Sequence, residues 1–195
     1  MTKIIEHLEE ATIRFAGDSG DGMQLVGSQF SETSGFAGNE VNTFPDYPSE
    51  IRAPEGTLYG VSAFQIHFGT QHIHTSGDHI DVLVAMNASS LKVNMANLKP
   101  GGIIIANIEG FDERNLTLAK YAVNPLTDGS LAKYDVHAID MTKEIKAELK
   151  ELNVPSKVIS KTKNIFALGL AYWLFNRPLQ PTVDWINKKF KGKDD

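Results

Sequence analysis

An apolar run, Thr12-Ile13-Arg14-Phe15-Ala16, passes directly into Gly17-Asp18-Ser19-Gly20-Asp21-Gly22 and then into an amphipathic segment that starts at Met23. Strand, glycine loop and helix in that order make an α/β unit: a buried strand ends in a tight turn, and the next helix begins with free N–H groups facing whatever lies beyond the strand. A loop that cradles phosphate with backbone amides favours neutral residues, yet this one carries two carboxylates, Asp18 and Asp21. The stretch is therefore a candidate ligand- or partner-facing site, with Gly17, Asp18, Ser19, Gly20, Asp21 and Gly22 as its residues.

The rest of the chain repeats the same grammar. Met23, Leu25, Val26, Phe30 and Phe36 recur near helical spacing, Gly35 and Gly38 stop the helix, and Glu40 to Phe44 reads as a short strand. Pro45 to Gly56 holds three prolines and four charged residues, so it reads as a long loop of the kind that often carries function. Leu58 to Phe68 suits a strand covered on both faces and ended by Gly69, and Ile80 to Met86 suits a buried parallel strand. Asn87 to Ser90 offers caps for a helix that runs to Lys99-Pro100-Gly101-Gly102, where proline and glycine stop it before the strand Ile103 to Ile108. A helix from about Asp112 to Tyr121, a turn at Asp128-Gly129, a strand from Val136 to Met141 and a helix from Thr142 to Leu152 follow. Ser156 to Phe175 is apolar on more than one side and reads as one buried helix. A last helix, Thr182 to Phe190, runs into the charged tail. This order predicts a three-layer α/β/α sandwich around a mainly parallel or mixed sheet.

Composition narrows the function. A chain of 195 residues with 42% hydrophobic content is long enough for one large domain with its own core. A net charge of −5 argues against a nucleic-acid surface or an anionic membrane as partner. The basic cluster Lys188, Lys189, Lys191 and Lys193 reads as a solvated terminus. There is no cysteine, so this chain supplies no thiolate for a disulfide, zinc or iron–sulfur cluster. No signal-peptide pattern opens the chain and no run of about 18 apolar residues interrupts it, which points to a cytoplasmic protein.

Several chemistries can be weighed against single residues. A nicotinamide fingerprint needs glycine where Ser19 stands, and its ribose-binding acid would be Asp46, displaced beyond Pro45. Leu98-Lys99-Pro100-Gly101-Gly102 before an apolar strand also suits a methyltransferase, although it marks α/β architecture more than chemistry. Ser19 as a hydrolase nucleophile lacks the glycine that Asp21 replaces, and the latest histidine is His137. Asp18, Asp21 and Asp81 could be magnesium ligands but serve equally as turn formers and caps, and His72, His74 and His79 lack further ligands at metal-binding spacing. Glu50 and Arg52 could orient a ligand or pair with each other. The residues alone thus describe a ligand- or partner-facing α/β domain without a complete catalytic set, or a free-standing nucleotide- or SAM-dependent Rossmann-like enzyme.

Five motifs in order add a resemblance: Gly17 to Gly22; Thr43 to Pro54, which includes Ser49-Glu50-Ile51-Arg52; Asp81 to Asn87; Asn124-Pro125-Leu126; and Lys163-Asn164-Ile165-Phe166-Ala167-Leu168-Gly169-Leu170. Together they resemble the N-terminal gamma domain of the alpha subunit of 2-oxoacid:ferredoxin oxidoreductases, nearest the 2-oxoglutarate type. The resemblance implies part of an enzyme that oxidatively decarboxylates a 2-oxoacid with coenzyme A, giving acyl-CoA, carbon dioxide and reduced ferredoxin. It implies thiamine diphosphate and iron–sulfur clusters held elsewhere, between the pyrimidine-binding domain of the alpha subunit and a thiamine-binding beta subunit. It further implies that residues 1–195 are a single gamma domain, with a flexible charged tail from about residue 191, that covers the active site and helps position coenzyme A or substrate. The site residues carried over are Gly17 to Gly22 with Ser49, Glu50 and Arg52. Alpha subunits of this kind are longer and continue into the pyrimidine-binding domain, whose motif is missing here. The resemblance therefore implies a chain that is inactive alone, either an excised domain or a separately encoded gamma subunit.

Overall fold

The structure, a computed structural model, describes residues 6–48, 60–152 and 154–191. Six strands, β1 (Glu10–Asp18), β2 (Glu40–Asp46), β3 (Val61–Gly69), β4 (Ile80–Ala85), β5 (Leu98–Asn107) and β6 (Asp135–Ile139), form one sheet in the order β2-β3-β1-β4-β5-β6. The pairs β1–β4, β4–β5 and β5–β6 are parallel, whereas β3 runs antiparallel to both β1 and β2, so the sheet is mixed. Strand β4 lies between two parallel neighbours with both faces covered, which is why it reads as an apolar run after Asp81. Strand β2 is an edge, and an edge tolerates Pro45 because that position has no ladder hydrogen bond to donate.

The helices are α1 (Met23–Phe36), α2 (Ala88–Asn94), α3 (Glu113–Leu118), α4 (Met141–Glu148), α5 (Ser156–Lys161), α6 (Lys163–Leu174) and α7 (Gln180–Lys189). Gly38, at φ +85°, ends α1: its N–H reaches the Gly35 carbonyl at 3.0 Å and the Asn39 N–H reaches that of Ser34 at 3.1 Å. That pair of bonds needs a left-handed residue, and glycine takes it at least cost. Asn87, Asp112 and Asp140 each accept a backbone N–H at the starts of α2, α3 and α4.

Alternation along the strands divides the core in two. Ile13 and Phe15 of β1, Phe64, Ile66 and Phe68 of β3 and Val82 and Val84 of β4 face α1, α4 and α6. Ala16, Ala63, Leu83, Ala85 and Ile104 face α2 and α3 on the other side. Phe30 of α1 anchors the first half, its ring centroid 5.3 Å from that of Phe68 and 5.9 Å from that of Tyr172. The Tyr172 hydroxyl donates to the Gln29 carbonyl at 3.0 Å and shares hydrogen bonds with the hydroxyls of Thr33 at 2.9 Å and Thr182 at 2.7 Å. One buried phenol therefore ties α6 to both α1 and α7, with its polar end satisfied.

Three local expectations change. The segment expected as one helix over Ser156 to Phe175 is two, broken at Thr162, and it ends at Leu174. Lys99-Pro100-Gly101-Gly102, expected as a stop, lies inside β5, where Gly101 takes φ +77° and the register against β4 shifts between Ile80 and Val82. The loop expected from Pro45 begins later, because Pro45 and Asp46 pair with Phe64 and Ala63 as the end of β2.

Helix α1 packs so closely on β3 that a Cβ at Gly27 would stand 2.2 Å from the Phe64 ring. Replacing a helical glycine with alanine gains about 1 kcal/mol in helix propensity, but overpacking a buried contact costs about 1–3 kcal/mol. Phe64 is buried and has no solvent side to swing into, so the overlap outweighs the gain. Gly27→Ala is expected to lower the urea midpoint. Gly35→Ala, on the same helix with nothing within 4 Å, is expected to raise it, by about 1 kcal/mol of stability.

Candidate functional site

Strands β1 and β4 lie side by side and parallel, yet α1 leaves β1 toward one face of the sheet and α2 leaves β4 toward the other. The loops between them separate, and a crevice opens beyond the carboxyl ends of the two strands, where open α/β sheets bind ligands. The glycine loop forms one wall. Its three glycines have distinct reasons. A Cβ at Gly17 would meet the Asp21 carboxylate oxygen at 2.7 Å, and one at Gly22 would meet the Asn164 amide at 2.2 Å. Gly20 has open space around it but sits at φ +105°, where other residues are strained.

Both carboxylates of the loop are turned inward. Asp21 Oδ2 accepts the Asp18 N–H at 2.8 Å, and the Asp21 N–H returns to the Asp18 carbonyl at 3.0 Å, closing a compact turn. Asp18 Oδ1 accepts from Asn87 Nδ2 at 2.7 Å across the crevice. Asn87 is also the cap of α2, its Oδ1 accepting the Ser90 N–H at 2.8 Å, so a single amide joins β1 to the start of α2. Burial pushes the Asp18 carboxyl above its ordinary value, the neighbouring Asp21 charge adds to this, and the Asn87 hydrogen bond opposes it. The Asp18 amide is already engaged by Asp21, so this loop does not present that N–H to a phosphate.

Two clefts flank the Asp18–Asn87 bridge. The one on the α2 side, about 280 Å³, is lined by Asp18, Asn87, Ser89, Asp112, Arg114 and Asn115. The one on the α1 side, about 340 Å³, is lined by Gly20, Asp21, Met86, Lys161, Lys163 and Asn164. The first mixes carboxylates with one guanidinium. Among the described residues, the second holds two ammonium groups beside a single carboxylate. Of the residues expected at the site, the structure brings Gly20 and Asp21 to one cleft and Asp18 to the other, with Ser19 exposed between them. Ser49, Glu50 and Arg52 lie outside the described residues.

Other candidates find different employment. Asp46, considered as a ribose-binding acid, pairs with Arg14. Arg14 is buried in the middle of the sheet: its Nε donates to Asn94 Oδ1 at 2.6 Å and its Nη1 to Gln65 Oε1 at 3.2 Å. A buried guanidinium must be paired on all sides, and here it ties β2 and β3 to α2. Asp81, considered with Asp18 and Asp21 for magnesium, stands at the opposite end of the sheet. It accepts the Thr12 N–H at 2.8 Å and pairs with Lys99 at 2.6 Å. His72 pairs with Glu40 at 2.8 Å, and His137 with Asp135 at 3.2 Å. Among the described residues no group of three or more His, Asp or Glu is placed to hold a metal ion, and no helix is long and apolar enough to cross a membrane. Sequence reasoning passed over Arg14, although a cation inside an apolar strand run signals a paired buried charge. It also passed over Arg114 and Lys161, which no local pattern marks.

Comparison with known proteins places these features among relatives. Residues 12–195 match the family described as pyruvate ferredoxin/flavodoxin oxidoreductase. The chain is 46% identical over 190 residues to the 2-oxoglutarate oxidoreductase subunit KorA of Mycobacterium tuberculosis, covering 97% of this chain and 29% of the relative. It thus spans less than a third of the length of that relative. A 2-oxoglutarate:ferredoxin oxidoreductase from Magnetococcus marinus, solved with 2-oxoglutarate, coenzyme A and succinyl-CoA, shares the fold at a TM-score of 0.69 and 22% identity, over 97% of this chain and 28% of that one. A keto/oxoacid ferredoxin oxidoreductase gamma subunit from Geobacter sulfurreducens shares it at 0.55 and 18%, over 84% of this chain and 74% of that one.

Two outcomes test the bridge. Asn87→Ala is expected to cost about 1–3 kcal/mol in urea denaturation, because it removes a helix cap and leaves a half-buried carboxylate without its donor. Since the Asp18 carboxyl is raised above 3.8, the folded chain binds more protons than the unfolded chain just above that pH, so this group's contribution falls as pH rises through the window. Asp18→Asn is expected to remove that fall and to leave stability at pH 7 equal to or above wild type, read as the difference in urea midpoint between the two proteins across pH.

Proposed function

Because this chain belongs to the pyruvate ferredoxin/flavodoxin oxidoreductase family, we propose that it is the gamma part of a 2-oxoglutarate:ferredoxin oxidoreductase. The whole enzyme would decarboxylate 2-oxoglutarate oxidatively with coenzyme A, yielding succinyl-CoA, carbon dioxide and reduced ferredoxin. The observation that carries the choice of substrate is the 46% identity to a 2-oxoglutarate oxidoreductase subunit along nearly the whole of this chain. Thiamine diphosphate and the iron–sulfur cluster supply the carbanion and electron chemistry of such an enzyme. The described residues do not fit them: there is no cysteine to ligate a cluster and no metal-holding group for a diphosphate-bound cation. Both belong, in this reading, to a pyrimidine-binding domain and a thiamine-binding beta subunit that complete the active site.

What this chain contributes is a rigid wall with an open crevice. The loop from Gly17 to Gly22 is closed on itself by the Asp18–Asp21 bonds, so it presents a fixed shape to a partner domain or to coenzyme A with little ordering cost. In this proposal Ser49, Glu50 and Arg52 contribute polar contacts to the cosubstrate. Among the described residues of the crevice none stands as nucleophile beside a general base, which agrees with positioning rather than bond-making as its task. The protein would work in the cytoplasm, where its ferredoxin partner accepts the electrons.

The test is reconstitution. The chain combined with the remaining alpha-subunit domains and the beta subunit is expected to support ferredoxin reduction that requires both 2-oxoglutarate and coenzyme A, and alone it is expected to support none. Micromolar binding of NAD(H) or S-adenosylmethionine by the isolated chain would overturn the reading in favour of a free-standing Rossmann-like enzyme. Gly20→Ala, forced into a backbone region that costs of the order of 1–3 kcal/mol, is expected to raise the KM for coenzyme A in the complex. An unchanged KM in both Gly20→Ala and Arg52→Ala would make the domain purely structural.

A further inference from the structure

The turn that ends α6 places a charge at the far end of the sheet. Asn176 takes φ +52°, and the Arg177 N–H closes back on the Tyr172 carbonyl at 2.8 Å, a helix stop usually built on glycine. The Arg177 guanidinium is thereby laid over the Phe68 ring, 5.0 Å from its centroid, and the same ring meets that of Phe175. Phe68 pairs with Ala11 and Val41 near the starts of β1 and β2. Arg177 therefore stands at the end of the sheet opposite the crevice.

This charge has no counterpart in the chain. Among the described residues no carboxylate pairs with Arg177, and its Nε is buried without an acceptor. Lost hydration holds its pKa below the ordinary arginine value. Glu10 and Glu40 lie at the same end, but alternation puts them on the face away from Phe68, where they pair with His67 and His72. Glu32 of α1 and Asp184 of α7 accept from Gln29 and Gln180 instead. A partly buried cation left unpaired costs stability, so the fold of this chain alone gives no reason to keep it there. Exposed apolar side chains share this end: Phe36, which closes α1, is 71% exposed, and Leu179, two residues past Arg177, is 59% exposed.

We infer that this end of the sheet is a docking surface for a partner domain that sets an acidic side chain against Arg177, with Phe36 and Leu179 at its apolar margin. A guanidinium held flat on a ring offers its edge to a carboxylate in two parallel hydrogen bonds. Desolvated arginines beside aromatic rings are also where protein interfaces concentrate their binding energy. For the identity of the partner the inference rests on the reading of the chain as one part of a larger oxidoreductase, since the chain covers only 29% of the KorA relative. The surface itself stands on the unpaired cation.

The test follows Arg177→Met through two measurements. Methionine keeps an unbranched apolar side chain over Phe68 and removes the charge. In the full chain by itself, Arg177→Met is expected to keep or raise the urea midpoint, because no ion pair is lost and a desolvated charge is gone. A lower midpoint makes Arg177 a structural residue and overturns the inference. With the remaining alpha-subunit domains and the beta subunit, the same variant is expected to weaken assembly about tenfold or more, read by calorimetric titration of the chain into those components. Unchanged assembly overturns the docking surface. Self-association of the chain that Arg177→Met abolishes would make the occupant a second copy and overturn the assignment to a partner domain. Failure of the wild-type chain to join these components overturns the functional reading instead, and the midpoint comparison, which needs no partner, then decides whether Arg177 is held for a contact outside the chain.

Discussion

The separation of α1 and α2 to opposite faces of the sheet is the constraint on which the site depends. Two adjacent parallel strands that fed helices to one face would have their ends covered by those helices. Here the ends of β1 and β4 stay open, and the chain must span the gap with something other than a helix. It does so with a side-chain hydrogen bond, from Asn87 to Asp18. That bond closes the bottom of the crevice and divides it into a mixed-charge half and a lysine-rich half.

The buried charges belong to the same design. Arg14 occupies a position that alternation assigns to the α2 face, and its neighbours there are Gln65, Asn94 and Asp46 rather than apolar side chains. Gln65 in turn donates to the carbonyls of Ser76 and Gly77 at 2.7 and 2.6 Å, so the guanidinium network also holds the loop before β4. A network of this kind is stabilising only when complete, because removing one partner leaves an uncompensated charge in a poorly solvated place. It fixes the end of β2, and with it the point from which the proline-rich segment departs.

The tight contacts along α1 explain how the loop keeps its shape. Gly27 lets the helix lie on the Phe64 ring, Phe30 packs among Phe15, Phe68, Tyr172 and Phe175, and Gly22 meets Asn164 at the start of α6. The glycine loop is therefore held between a sheet, a helix and the start of another helix. Its two aspartates, which look out of place for phosphate binding, are the internal fasteners of that arrangement.

The layered α/β architecture was legible in the sequence because it depends on local signals: strand-length apolar runs, glycine and proline punctuation, and caps such as Asn87, Asp112 and Asp140. The glycine loop could be picked out for the same reason. The antiparallel placement of β3 was not legible, since strand order and direction depend on long-range pairing, and an apolar strand buried on two faces reads alike in either direction. Nor was the break at Thr162, where no proline or glycine marks the point and tertiary packing alone decides. The sequence by itself determined the repeated strand-and-helix grammar, the family motifs and the absence of thiolate chemistry. Only the tertiary structure decided that Asp46 serves Arg14, that Asp18 and Asp21 face inward, and that Lys161 and Lys163 share a cleft, because each of these is a choice of partner between segments far apart along the chain.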